Sequence, residues 1–156
     1  MSRQESILKL LDENYVRLTE QLGRLSPADW EKPIQDEDQQ WTARQILVHL
    51  VDSQKGMLGQ MTRINQGQEA IPPDFDLNRW NKRTVEKNAD RTKDELVAQL
   101  ADEFSKLKAF VGTLTDADLD KRGRHSSLEI MSLEEIARLI ATHEMEHLQS
   151  IVKKLG

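Results

Sequence analysis

His143 and His147 stand four residues apart in the run ATHEMEHLQSI. A helix turns about 100° per residue, so this spacing brings two imidazoles to nearly one face, about one turn apart. Two neutral rings placed that way can grip one metal ion. The chain has only four histidines in 156 residues. A third, His49 in WTARQILVHLVDS, lies in another strongly helical segment. Three imidazoles from two helices make a metal site with coordination positions left open for chemistry. A His-x3-His pair alone has a plainer reading, because histidines at a core margin are commonly packing residues held by hydrogen bonds. The third histidine favours the metal, since sites in helical bundles draw ligands from facing helices.

The string from His143 to His147 also matches H-E-x-x-H, in which a glutamate acts on a metal-bound water in zinc proteases. A protease is disfavoured. Those enzymes take a third ligand downstream, and residues 148–156 contain no His, Asp or Glu. The third ligand is therefore expected upstream, at His49. Glu144 falls near the middle of the apolar arc formed by Leu133, Ile136, Ile140, Leu148 and Ile151, a costly place for a carboxylate without a partner. Three roles stay open for it: a hydrogen bond to a ligand imidazole, a base towards metal-bound water, or an ordinary ion pair. Glu146 points away from the arc and reads as a surface residue. His125, in Arg122-Gly123-Arg124-His125, either lines the mouth of the site or is simply an exposed loop histidine. Asp52 and Ser53, about one turn beyond His49, orient it, meet substrate or face solvent. Trp30, Trp41 and Trp80 read as core or loop anchors.

The elements that must position these groups are helices. Ile7, Leu11, Tyr15, Leu18, Leu22 and Leu25 recur at helical spacing and predict a first helix from about Ser2 to Leu25. Ser26-Pro27-Ala28-Asp29 caps a single turn. A polar linker containing Pro33 runs to Gln40. Thr42-Ala43-Arg44-Gln45 has the form of a capping box, opening a second helix that runs to about Gly67. Pro72-Pro73 breaks the chain, and Asp76 caps a shorter helix that carries Trp80. Thr92 to Glu95 and Ser132 to Glu135 are two further capping boxes, opening helices with apolar faces at Leu96, Leu100, Phe104, Leu107 and Val111 and along the arc above. Thr115 caps another brief turn. Lys121 to Ser127 reads as basic and irregular. Four long amphipathic helices predict an all-α four-helix bundle, one domain over 1–156. The long links at 26–41 and 68–91 leave room for crossover connections.

Composition narrows the function classes. Hydrophobic residues make up 37% and charged residues 31%, with few glycines, prolines and aromatics, which disfavours sandwiches and barrels. The net charge is −5 without a basic stripe, so nucleic acid is not an expected partner. No apolar run reaches the length of a membrane span, and the opening MSRQESILKLLDEN lacks an apolar signal core, so a cytoplasmic protein without membrane contact is expected. There is no cysteine. Disulfides, thiolate metal sites and thiol nucleophiles are excluded, and any reactive thiol must arrive with a substrate.

Trp41-Thr42 followed by His49-Leu50 and Asp52-Ser53 resembles the second helix of the DinB-like four-helix-bundle superfamily. Phe75 with Asn78, Arg79, Trp80 and Asn81 resembles its middle segment. Gly123-Arg124-His125, Leu133-Glu134-Glu135, His143-Glu144 and Glu146-His147-Leu148 resemble its closing half. The similarity runs over nearly the whole chain. It implies a divalent metal, zinc or nickel, held by His49, His143 and His147. It also implies a thiol-dependent reaction of the bacillithiol S-transferase or mycothiol isomerase kind, and a homodimer. One departure is visible: some thiol-transferase relatives carry two adjacent histidines on the second helix, whereas Val48 precedes His49 here.

Three classes of function follow. The first is a metal-dependent enzyme acting on a small molecule. It either activates a thiol such as bacillithiol to attack an electrophile or runs a hydrolysis with Glu144 as base. A positively lined pocket near Arg79, Lys82, Arg122 or Arg124 would favour an anionic thiol. The second is a non-catalytic, stress-associated metal-binding protein. The third is a helical interaction domain without metal.

Overall fold

The structure, a computed structural model, describes residues 1–36 and 39–155. Glu37 and Asp38, inside the predicted linker, and Gly156 lie outside the described residues. The helices are α1 (Arg3–Gly23), α2 (Ala43–Asn65), α3 (Leu77–Lys87), α4 (Lys93–Val111), α5 (Asp116–Leu119) and α6 (Leu133–Leu155). Four are long, and their starts follow the capping signals. Thr42 accepts from the Gln45 amide while the Gln45 side chain accepts from Thr42 N–H at 2.9 Å. Ser132 and Glu135 make the same reciprocal pair, at 3.1 Å in each direction. The box at Thr92 closes only halfway: Thr92 Oγ1 accepts from the Glu95 amide, and the Glu95 carboxylate pairs with Arg91 instead.

Long-range contacts fix the topology. Arg3 donates to Glu134 at 2.8 Å, and Arg138 reaches back to Ser6, so α1 runs parallel to α6. Lys108 pairs with Asp12 at 2.8 Å while Gln4 donates to the Val111 carbonyl, so α4 runs antiparallel to α1. Arg44, at the start of α2, donates to the Ala89 carbonyl just before α4, so α2 and α4 point the same way. α1 packs on α6 and α4, and α2 packs on α4 and α6. Helices consecutive among the long four, α1 with α2 and α4 with α6, therefore face each other across diagonals. A parallel α2–α4 pair demands a link that returns the length of the bundle, and α3 lies in that link. The crossover connections anticipated from link lengths are thus present.

Two links differ from expectation. The polar linker contains an antiparallel hairpin, β1 (Pro33–Asp36) with β2 (Gln39–Thr42), in the register Pro33↔Thr42 to Asp36↔Gln39. The irregular basic stretch contains β3 (Arg122–Arg124), paired with β4 (Ile130–Ser132). Each hairpin feeds directly into a histidine-bearing helix and clasps the other one. The first hairpin delivers Asp36 to α6. The second packs Gly123 against Ile64 of α2, where a Cβ would come within 2.5 Å of the Ile64 side chain, and its Ser126 amide donates to Gln60 of α2. α2 and α6 are held antiparallel by a clasp at either end.

The apolar core forms two clusters, one around Ile7, Leu107 and Ile136 and the other around Leu18, Leu47 and Leu100, with Tyr15 packed on both. Gln54 and Glu144 are among the polar residues buried alongside these clusters. Among the described residues, no helix is long and apolar enough to cross a membrane.

Candidate metal centre

His49 comes from the second turn of α2, and His143 and His147 from the middle of α6. His49 and His147 are buried and His143 is half-buried. The three rings converge through their Nε2 atoms: His49 to His143 is 3.1 Å and His143 to His147 is 2.9 Å. All three ring nitrogens lie within 4.8 Å of one another. Ring centroids are 4.4–4.9 Å apart with near-perpendicular planes, so the nitrogens point inward rather than the rings stacking.

These residues fit a cation. The Nδ1–H of His147 donates to Asp36 Oδ2 at 2.6 Å, which turns its Nε2 towards the other two rings. The same Nε2 atom of His143 faces both neighbours and can share only one hydrogen bond between them, so one of the two close nitrogen contacts is left without a proton on its axis. A cation between them removes that conflict. Nitrogens bound at about 2.0–2.1 Å to one zinc-like ion sit at separations of this size. The rings also stay in the ligand form. Burial pushes the His49 imidazole down to about 4 and His143 to about 3, with the neighbouring His147 adding to both shifts. Neutral rings with free lone pairs are what a metal requires.

Asp36 is the residue that sequence reasoning missed. It is 3% exposed, and besides its bond to His147 the nearby Ser150 hydroxyl favours its charged form. Burial alone would raise its pKa, but the bond and charge of His147 prevail and hold the carboxyl below its ordinary value. A carboxylate on the far nitrogen of a ligand histidine fixes its tautomer and orientation. Ser53 Oγ sits 3.4 Å from His49 Nδ1, which matches one of the three readings open for it, while Asp52 accepts from Trp80 Nε1 at 2.9 Å. Trp41 packs its ring 5.4 Å from His49. Trp30 is a core anchor, and Trp80 is half exposed.

Glu144 does not join the histidines. It is 3% exposed and makes no hydrogen bond or ion pair among the described residues. Its field reaches Tyr15, which stacks on Phe104 in the bundle interior. Burial pushes its carboxyl up to about 8. His125 corrects the exposed-loop reading: it is 5% exposed, its Nδ1 accepts from the Ser127 amide at 3.0 Å, and its Nε2 has no partner among the described residues. The chain doubles back at Leu128 (φ 75°), and this tucks the ring under the hairpin. It is not one of the three converging rings. Glu146 is exposed, as expected.

A cavity of about 190 Å³ opens beside His49 and His147. Of the four basic residues considered, Lys82 lines it. Arg122 and Arg124 are engaged elsewhere, by Glu135 and Glu69.

Fold and site together define a four-helix bundle with a tri-histidine cluster between its second and last long helices. The chain belongs to the DinB superfamily, whose family model matches residues 10–151. Several solved structures share the fold. YfiT from Bacillus subtilis, described as a probable metal-dependent hydrolase with an unusual four-helix bundle topology, is 21% identical at a TM-score of 0.70, over 98% of this chain and 87% of its own. The mycothiol-dependent maleylpyruvate isomerase is 14% identical at a TM-score of 0.80, over 95% of this chain, which spans 60% of the isomerase chain. The colibactin self-resistance protein ClbS, solved in complex with a dsDNA, is 16% identical at a TM-score of 0.78, over 96% of this chain and 93% of its own. No curated protein matches the chain.

Proposed function

We propose that this protein is a metal-dependent enzyme that transfers a low-molecular-weight thiol, of the bacillithiol kind, to a small electrophile. The observation that carries the reading is the cluster of three converging imidazoles, braced by Asp36 and bordered by a cavity. Three protein donors with an open side suit catalysis, whereas a purely structural or storage site closes with a fourth. When bound, a divalent cation supplies a Lewis acid that lowers the pKa of a coordinating thiol. The chain's own residues do the rest. His49, His143 and His147 hold the ion without neutralising its charge. Asp36 keeps His147 in one tautomer, and Trp41 shields His49 on one side. The absence of cysteine means the thiol arrives from outside. Zinc or nickel as the ion, and a cytoplasmic homodimer as the working form, rest on family resemblance.

The test is conjugation of bacillithiol to a fluorogenic electrophile by protein loaded with zinc or nickel. Metal-dependent conjugation that disappears in His143→Ala is expected. Thiol consumption no faster than without protein, while the metal stays bound, would overturn the reading.

Hydrolysis of a small molecule is the second reading, favoured by the likeness to YfiT over most of both chains. In it Glu144 is the candidate catalytic base. With its carboxyl buried away from the histidines and pushed up to about 8, that role requires Glu144 to turn towards the ion and ionise there. Glu144→Gln would then abolish ester hydrolysis and spare thiol conjugation.

A further inference from the structure

The cavity beside His49 and His147 has an unusual wall. α3 contributes Asn78, Asn81 and Lys82, and β2 contributes Gln39. Among the described residues, Asp36 is the only carboxylate lining it, and Asp36 is engaged by His147 and Ser150. The other four polar side chains are uncommitted: among the described residues, none makes a hydrogen bond or ion pair. Among the described residues the wall therefore offers one cation and three carboxamides, with its one acid already taken.

This arrangement is built into α3. Positions 78, 81 and 82 are three and four residues apart, so they share one helix face. Val85 continues that face and is the buried residue of α3. The helix is fixed over α2 by Trp80 Nε1–H donating to Asp52, three residues beyond His49 in sequence, and its start is capped by Asp76. Arg79 and Arg83 lie on a different face and do not line the cavity.

We propose that this wall is an anion subsite: the molecule whose donor atom meets the ion also carries, a few bonds away, a carboxylate or similar small anion. Lys82 pairs with that anion, and the carboxamides of Asn78 and Asn81 hydrogen-bond it. Lys82 and Asn78 are exposed and Asn81 is half-buried, so the cation stands at the mouth of the cavity, where it attracts an anion in a salt-dependent way. A cavity of about 190 Å³ is only slightly larger than one that accepts a benzene-sized guest. The part of the ligand inside is therefore short, on the scale of a three- or four-carbon acid. The inference rests on the metal-dependent reading above and narrows its substrate class to small anionic molecules.

The experiment uses the protein loaded with cobalt(II), whose visible absorption reports ligand binding at the ion. Four probes are titrated: 3-mercaptopropionate, its carboxamide, succinic monohydroxamate and its carboxamide. The acid of each pair is expected to bind about five- to tenfold more tightly than the amide at low salt, with the difference shrinking as salt rises. Lys82→Gln, checked for fold by circular dichroism and for unchanged cobalt content, is expected to bring each pair to near equality. Asn81→Ala is expected to weaken both members of each pair. Acid and amide binding alike in the unaltered protein would overturn the subsite, as would a preference that survives Lys82→Gln. If thiols fail to reach the ion while the hydroxamates still discriminate, thiol transfer falls and the subsite stands. If none of the four binds, both fall.

Discussion

Asp36 and Glu144 are each 3% exposed, yet they behave in opposite ways. Asp36 stays ionised, below its ordinary pKa of 3.8, whereas Glu144 is pushed from 4.5 up to about 8. The hairpin side of the cluster gives its carboxylate an imidazole N–H at 2.6 Å and a serine. The bundle interior gives Glu144 no such donor among the described residues. Burial pushes both carboxyls upward, and the donors decide the outcome. The helix face that carries the ligands is polar because it is answered by partners. The neighbouring face, one residue round, keeps a carboxyl whose charge is unanswered.

The strongest way to break this contrast is His147→Ala. Metal binding should fall below detection by elemental analysis, and Asp36 should become a second unpartnered buried acid. Losing one member of a buried pair costs roughly 3–5 kcal/mol. Denaturant unfolding should show that loss, and adding Asp36→Asn should recover part of it. Stoichiometric metal retained in His147→Ala would show the ligand assignment to be wrong.

Glu144→Gln should act in the opposite direction. Between about pH 4.5 and 8 the unfolded chain releases a proton that the folded protein retains, so the stability associated with neutral Glu144 is full below 4.5 and lost as pH rises through 8. The variant of the metal-free protein should match the parent near pH 4.5 and exceed it by roughly 2–4 kcal/mol above pH 8. A difference that does not change with pH would mean the carboxyl is not held neutral. Asp36 carries the reverse sign: its contribution is present above its unfolded pKa and is lost as pH falls through the lower folded value.

Asp36→Asn should leave the helices intact and weaken metal affinity about 10- to 100-fold in competition with a chromogenic chelator. Unchanged affinity would remove the bracing role. The smallest effect should come from Asp52→Asn. Its carboxylate accepts one hydrogen bond from half-exposed Trp80, so thermal unfolding should register about 1 kcal/mol or less.

The helices and the ligand trio could be read from sequence because both signals are local. Apolar spacing marks each helix, and the pairs at Thr42 and Ser132 fold as reciprocal caps. A four-residue gap puts His143 beside His147 wherever the helix goes. Asp36 was invisible for a definite reason. The buried positions of its strand are Ile34 and Asp36, so the alternation contains one apolar residue and reads as polar linker. Only the clasp on α6 gives that acid a reason to be inside. His125 was misread similarly, since burial of its ring depends on a tight return at Leu128 and on Gln60 of another helix. The uncommitted face of Asn78, Asn81 and Lys82 could be seen as a helix face, but nothing local told that it bordered the histidines.

His49 and His143 are 94 positions apart. An ion joining them shortens the reach of the unfolded chain much as a covalent staple would, and this chain has no cysteine with which to make one. By the chain-entropy account used for cross-links, closing so long a loop is worth on the order of 4 kcal/mol. Heat tolerance should therefore track ion supply, so that scarcity of the cation would thin the protein's own population as well as idle its site.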